Sequence, residues 1–266
     1  MSSNEPRLRG SARRRRGPYP LGQLPDAVMQ MLGKQLVHRI AVGQGDINGD
    51  DFGTIFANAI GGIHRNSPLG IADVVLDRCA WSVKTIKRPQ PFTATTVRLI
   101  SGRNSPNYSL GISDPHDDTE QTGRAVLEVW NARVDEALAE HNELRIVVMV
   151  RNLESREFLV FEEEAMRFTP EDFTWEYNSR GNLEGCNRVD GTHHFTWQPH
   201  GSQFTIFRVV PASAQRFSVN RDVPLVSFEE VLSAVNFEND WISIHRREQR
   251  EEIETPLAPS LFDLLR

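Results

Sequence analysis

The chain lacks several features that would assign it to a class at once. It has only two cysteines, Cys79 and Cys186, in 266 residues, which excludes a disulfide framework and suits a reducing compartment. No apolar run approaches the ~18 residues that cross a bilayer. The N-terminal arginines are not followed by the apolar segment of a secretory signal. We therefore expect a cytoplasmic protein with no membrane partner.

Positive charge is scarce overall but concentrated locally. The formal net charge of −6 disfavours a simple nucleic-acid binder, because such proteins tend to be basic. Arginines nevertheless crowd residues 1–16, and acid collects near residues 162–164 and 248–254. A second basic group consists of Lys84, Lys87, Arg88, Arg98 and Arg103. This asymmetry is compatible with a basic binding face on an acidic body.

Motifs for several common chemistries are also missing. The glycines at 43–45 open a polar loop with no strand before it, which disfavours a dinucleotide site. Cys186, His193, His194 and His200 lack the paired spacing of a zinc clamp. The sequence shows no motif with the Ser, His and Asp arrangement that is typical of a nucleophilic hydrolase.

The most informative segment is residues 70–84, GIADVVLDRCAWSVK. It predicts two short apolar strands joined by a turn, with Asp73 on the first and Ser82 and Lys84 on the second. Side chains alternate along a strand, so Ser82 and Lys84 point to the same face. Burying a charged group in an apolar hairpin costs free energy unless the group is paired with an opposite charge or coordinates a metal. The alternative interpretation is an ordinary meander with a surface lysine.

Periodicity along the chain predicts an α/β (α+β) fold with a mixed central sheet flanked by helices. Helical spacing of apolar residues indicates helices over 26–40, 50–63, 118–141 and 227–235. Apolar runs between turn signals indicate strands over 69–76, 80–87, 95–101, 107–112, 145–150, 157–161, 192–198 and 203–210.

The hairpin and this order of elements resemble the core of the PD-(D/E)XK nuclease superfamily, which includes most restriction endonucleases. In that family an Asp and an acid-x-Lys triplet on adjacent strands hold Mg²⁺ and the scissile phosphate. The α-β-β-β-α-β order over residues 45–162 matches the family core. Two positions depart from the motif. Ala72 stands where the family has Pro, and Ser82 stands where it has Asp or Glu.

The resemblance implies roles for the hairpin residues. Asp73 would be a metal ligand, and the backbone carbonyl of Val83 would be another. Lys84 would orient the attacking water and offset charge in the transition state. Ser82 occupies the catalytic position from which the second acid is missing.

The missing acid would then come from elsewhere in the fold. Asp51, on the helix before the hairpin, is the best candidate catalytic residue and metal ligand. Glu128 on the long helix is the next, and Asp50 is a further possibility. Asp50 and Asp51 can also be explained as acids in a first helical turn, where they favour the helix dipole.

The resemblance further implies a Mg²⁺-dependent, sequence-specific endodeoxyribonuclease of the type II restriction class, acting on double-stranded DNA. We expect a homodimer or tetramer, because a two-fold target presents two scissile bonds. A cognate DNA methyltransferase is expected in the same system, but not as a stable partner. The alternatives are a structure-specific repair or recombination nuclease, and a non-catalytic DNA-binding module on a decayed nuclease core.

Three regions are expected. Residues 1–20 form a flexible Arg-rich arm, residues 21–163 the nuclease core, and residues 164–266 a β-rich recognition region with C-terminal elements. The candidate DNA-binding residues are Lys87, Arg88, Arg103, Asn104, His200, Gln203 and Arg208.

Overall fold

The computed structural model describes residues 17–65 and 71–244. The chain divides into two compact units, with the boundary between Leu225 and Val226. The arginine-rich segment up to residue 16 lies outside the described residues, and so does the acidic stretch from residue 248.

In the described part of the first unit there are four α-helices and eleven strands. The helices are α1 (Asp26–Ala41), α2 (Gly49–Ile60), α3 (Pro106–Leu110) and α4 (Thr119–Glu140). The first six strands are β1 (Ile63–His64), β2 (Val74–Leu76), β3 (Cys79–Lys87), β4 (Thr96–Arg103), β5 (Glu143–Asn152) and β6 (Glu157–Glu164). The others are β7 (Phe173–Tyr177), β8 (Leu183–Asn187), β9 (His193–Gln198), β10 (Gln203–Val209) and β11 (Gln215–Ser218).

The strands form two sheets. Sheet A has six strands in the order β1-β2-β3-β5-β6-β11, and sheet B has five in the order β4-β10-β9-β8-β7. Strands β3 and β5 pair in parallel, whereas the other pairs in both sheets are antiparallel. The parallel pair needs a crossover, and β4, α3 and α4 lie within that connection. The mixed sheet and flanking helices agree with the α+β class.

Each face of sheet A is covered by a different core. Apolar residues of α1 and α2, among them Leu36 and Phe56, pack with Trp81 and Val147 on one face. On the other face, α4 packs between sheet A and sheet B in a continuous apolar cluster. The helix is buried on more than one side as a result, and Trp130 is fully buried within it. This arrangement places α4 against the face of β3 that carries alternate residues Ala80 and Ile86.

The predicted boundary at residues 163 and 164 does not separate two folded parts. Strand β4 precedes it but is the first strand of sheet B, where it pairs with β10. Strand β11 follows it but completes sheet A by pairing with β6. Each predicted region thus contributes a strand to the sheet formed mainly by the other, and both regions share one apolar cluster. The exchange pairs residues far apart in sequence, which local patterns do not reveal.

A buried ionic network fixes the segment that follows the arginine-rich stretch. Arg145 donates to Glu162 Oε2 at 3.1 Å and to the carbonyl of Tyr19 at 2.7 Å. Glu162 Oε1 accepts hydrogen bonds from the Tyr19 hydroxyl and the Trp81 indole, both at 2.7 Å. Residues 17–20 were expected to belong to the flexible arm, but Tyr19 is buried in this network.

Local chemistry explains one wrong secondary-structure prediction. Residues 107–112 were expected to form a strand, but residues 107–110 belong to helix α3. The Ser105 hydroxyl caps α3 by accepting from the backbone N–H of Tyr108, and Pro106 occupies its first turn. Gly111 ends the helix with a left-handed φ of 70°, which glycine adopts without a steric cost. Strands β1, β7, β8 and β11 were not predicted. β1, β8 and β11 are short and lack a clear alternation, whereas β7, Phe-Thr-Trp-Glu-Tyr, alternates regularly and was missed.

The second unit is described only up to residue 244. It contains α5 (Phe228–Ala234) and a 3-10 turn, Asn239–Trp241. Helix α5 was predicted, and it begins with a capping box between Ser227 and Glu230. Among the described residues, no helix combines the length and apolar character needed to span a membrane.

Candidate active site

The β2–β3 hairpin positions the Asp73 carboxylate. Strand β2 pairs with β3 from Val74 opposite Trp81, and the Asp73 N–H donates to the Trp81 carbonyl at 2.9 Å. At the next position along β3, the Asp73 side chain takes the place of a backbone acceptor from β2. Its Oδ2 accepts a hydrogen bond from the Val83 N–H at 2.7 Å, and the Ser82 hydroxyl lies 3.4 Å away. The carboxylate is therefore fixed at the end of β2, beside the middle of β3.

The alternation predicted for β3 is confirmed. Trp81 and Val83 belong to the core under α1 and α2. Ala80 and Ile86 belong to the core on the α4 side, so Ser82 and Lys84 point to that side as well. Ser82 is fully buried, while Lys84 is only partly buried.

The Val83 carbonyl lies on the edge of β3 that Asp73 occupies. The N–H and C=O of one strand residue point to the same neighbouring strand. The Val83 N–H donates towards Asp73, so its carbonyl oxygen points to the same edge, beyond the last β2 pair at Val74. A carboxylate oxygen and a carbonyl oxygen therefore share this edge, and their role as metal ligands stays a prediction.

Helix α4 brings a second cation to Lys84. Burial lowers the pKa of Lys84, the charge of Asp73 opposes that change, and the charge of Arg133 adds to it. Burial also lowers the pKa of Arg133, against the charge of Glu136. Lys84 is thus influenced by the carboxylate of Asp73 and by the cation of Arg133, and Glu136 offsets part of the Arg133 charge.

Hydrogen bonds to neutral groups hold Arg133 in place. Its guanidinium donates to Asn104 Oδ1 at 2.8 Å, to the Ser101 carbonyl at 3.5 Å, and to the carbonyl of Arg103. Neutral acceptors fix the geometry of a guanidinium without cancelling its charge. Among the described residues, no carboxylate forms a salt bridge with Arg133.

The oxygen donors at the hairpin are of the kind that Mg²⁺ takes in proteins. Mg²⁺ commonly keeps several waters and binds through one or two carboxylates plus substrate phosphates. Asp73 and the Val83 carbonyl supply two suitable oxygen donors. In the part of the chain that the structure describes, no group of three or more His, Cys, Asp or Glu side chains is placed to hold a metal.

The acids predicted to replace the one missing at Ser82 do not join Asp73. Asp51 lies in the first turn of α2, which packs on the opposite face of sheet A. There it forms a capping box with Asn48, and its Oδ1 lies 3.9 Å from Arg39. Glu128 is exposed on α4. The capping explanation therefore accounts for the contacts of Asp51, and no described contact links it to the hairpin.

Two residues predicted to contact DNA instead have structural roles. Asn104 is fully buried, its amide donates to the Val126 carbonyl at 2.9 Å, and its Oδ1 accepts from Arg133. Arg208 Nε lies 2.8 Å from Glu163, and its guanidinium stacks 5.3 Å from the centre of the Phe168 ring. Neither side chain is free to reach a base, so both predictions are corrected.

The other predicted contacts keep more of their surface. Lys87, Arg103 and His200 are exposed. Gln203 is partly buried at the start of β10, opposite Arg103 of β4. Arg88 is partly buried and donates to the Thr96 carbonyl at 3.1 Å. Their role in DNA binding stays a prediction.

Sequence reasoning missed the α4 side of the site. Arg133, Glu136 and Glu140 recur at helical spacing, which puts them on one face of α4. The sequence shows this spacing, but it does not indicate which strand this face of α4 packs against. The link to Asp73 follows only from the parallel pairing of β3 with β5, which brings α4 over the hairpin.

Comparisons with known proteins give no relative for this chain. No family model matches it, and no curated protein or solved structure matches it.

Proposed function

We propose that the protein is a Mg²⁺-dependent endodeoxyribonuclease of the PD-(D/E)XK type, acting on specific sequences in double-stranded DNA as restriction enzymes do. The observation that carries this proposal is the cluster at the hairpin. The Asp73 carboxylate accepts a hydrogen bond from the Val83 N–H, and Lys84 of β3 is influenced both by its charge and by the charge of Arg133 from α4.

The cluster has the parts needed for phosphodiester hydrolysis. A phosphate group entering it would meet two cations that are partly removed from water, where electrostatic interactions are stronger. Lys84 acts by its charge and orients the attacking water. A bound Mg²⁺, held by Asp73 and the Val83 carbonyl, would activate water and stabilise the leaving oxygen.

DNA is the proposed substrate because an exposed cation lies beside the cluster. Arg103 ends β4, and its own backbone carbonyl accepts a hydrogen bond from Arg133. Lys87 lies on the opposite face of β3, where its charge acts on Asp46. Arg103 would contact a phosphate and position the duplex. We also propose a homodimer or tetramer, which would present two such sites to a two-fold target. The two free thiols suit a reducing cytoplasm.

A second candidate, a DNA-binding module on a decayed nuclease core, is favoured by one observation. Ser82 is fully buried and donates to Asp73, so the position of the second acid has been taken over by a structural hydroxyl. A metal site with one carboxylate would bind Mg²⁺ weakly, because hard cations depend on charged oxygen ligands.

A plasmid digest distinguishes these functions. The protein is incubated with supercoiled DNA in Mg²⁺ or in EDTA, beside a Lys84→Met variant of similar side-chain length. The proposed function requires discrete bands from the wild-type protein in Mg²⁺ only. A smear or cutting at junctions would indicate a repair nuclease. Retained DNA binding without any cleavage, over a wide Mg²⁺ range, would indicate a decayed core.

A further inference from the structure

A cleft of about 150 Å³ adjoins the proposed active site. It lies where the C-terminal turns of α4 meet the segment leading into β2. Ala72, the neighbour of Asp73, forms part of one wall, and Arg133 of α4 forms part of the other. The remaining lining residues are Arg65, Ile71, Glu136, Ala137, Glu140 and His141. The cleft and the hairpin cluster therefore share Arg133 and adjacent backbone.

His141 is an unsatisfied polar side chain in this cleft. It is only 5% exposed, and neither ring nitrogen has a hydrogen-bond partner among the described residues. Its Nε2 lies 3.9 Å from Glu140, which is too far for a hydrogen bond. Buried polar groups are nearly always bonded, because an unmet donor or acceptor costs ~1–3 kcal/mol. A ligand that accepts a hydrogen bond from this ring would supply the missing partner.

The inner part of the cleft favours an anion. Arg133 forms hydrogen bonds with neutral acceptors only, and the charge of Glu136 offsets part of its own, but both carboxylates of the cleft are exposed. Glu140 also lies 3.5 Å from Arg65, so these two rim charges largely offset one another. Solvent screens rim charges more than it screens the partly buried guanidinium.

We propose that this cleft binds a phosphate group next to the one held at Asp73 and Lys84, with Arg133 supplying charge and His141 an N–H donor. The proposal rests on the proposed function, since it assigns the cleft to the same DNA strand. Burial and the charge of Arg65 lower the pKa of His141, while the charge of Glu140 opposes them. The ring is then neutral at pH 7, with one nitrogen able to donate.

The test follows the histidine side chains by NMR in the full-length protein, at constant ionic strength. A His141→Gln variant assigns the His141 signal. Inorganic phosphate, thymidine 5′-monophosphate and a short DNA duplex in EDTA are titrated separately. We expect saturable shifts of the His141 signal with all three probes and no shift of His38, which is exposed on α1 at the other face of sheet A. A response to the small probes but not to the duplex would overturn the assignment to a DNA strand.

Rim variants provide a test that does not depend on removing a buried group. Arg65→Gln should weaken phosphate binding about two- to fivefold, and Glu140→Gln should strengthen it by a similar factor, as expected for exposed charges. His38→Gln is the matched control and should leave binding unchanged, because His38 lies on α1 and does not line the cleft. Equal affinities in all three variants would overturn the proposal.

Failure of this inference is distinguishable from failure of the proposed function. If plasmid DNA is cut in Mg²⁺ but the His141 signal responds to no probe, the nuclease proposal stands and the cleft assignment is wrong. If the His141 signal responds to the duplex and no condition gives cleavage, the cleft assignment stands and the nuclease proposal is wrong.

Discussion

The Asp73 side chain has a structural and a proposed chemical role, and two substitutions separate them. Asp73→Asn keeps an oxygen that can accept from the Val83 N–H, now 2.7 Å from Oδ2, but removes the negative charge. Asp73→Ala removes both. If the carboxylate binds Mg²⁺, both variants lose cleavage, whereas only Asp73→Ala leaves the backbone N–H of Val83 without its partner.

The two variants should differ in stability by a measurable amount. Replacing a charged acceptor by a neutral one weakens a hydrogen bond, and we expect a cost of about 1 kcal/mol for Asp73→Asn. Leaving a partly buried N–H unpaired costs ~1–3 kcal/mol, so Asp73→Ala should be less stable by about 1–2 kcal/mol more. The Ser82 hydroxyl, 3.4 Å from Oδ2, adds little to either figure.

Urea unfolding at pH 7 gives the stabilities, and plasmid cleavage across a Mg²⁺ titration gives the activities. DNA binding in EDTA is the control, and it should be retained by both variants because base contacts lie elsewhere. Cleavage by Asp73→Asn at the wild-type rate would refute the metal role. Equal unfolding free energies for Asn and Ala would refute the structural role derived for the Val83 hydrogen bond.

Three further predictions concern other parts of the chain. Deleting residues 1–16 should weaken DNA binding at all sequences alike and flatten its salt dependence, because arginine–phosphate contacts release counterions; an unchanged salt slope would show that the segment does not contact DNA. Glu162→Gln should lower the unfolding free energy by about 3 kcal/mol in urea, since it leaves the charge of the buried Arg145 with less compensation; a loss below about 1 kcal/mol would contradict this. The pKa of His141 is lowered below its usual 6.5 in the folded state, so the unfolded chain binds more protons in acid. Stability should therefore be fully present above pH 6.5 and fall as pH drops below it, and His141→Gln should remove that part of the slope in unfolding measured from pH 7.5 to 5.

The sequence predicted those parts of the site that depend on local geometry. The hairpin was readable because its turn and its alternation lie within residues 70–84. The positions of Asp73, Ser82 and Lys84 follow from the period of a strand. Helix α4 was predictable because its apolar residues recur at the period of a helix.

The sequence could not indicate partners that arise from distant pairing. Arg133 joins Lys84 only because β3 pairs with β5, about sixty positions further along the chain. Asn104 was predicted to contact DNA, but it is fully buried. Its burial depends on Val126 and Arg133 of α4, and no local pattern reports that packing. Asp51 was assigned to the metal by its place on the preceding helix, without knowledge of the face that helix would cover.

The exchange of β4 and β11 between the sheets limits how the protein could be re-engineered. A cassette beginning at residue 164 would leave sheet B without β4 and would carry away β11, the edge strand of sheet A. Chimaeras joined at that point would expose two unpaired strand edges, which promote aggregation. If DNA specificity resides in sheet B, new specificities are therefore more accessible through loop substitutions than through domain grafting. Selection acting on one sheet would also act on the other, because each contains a strand from the other part of the chain.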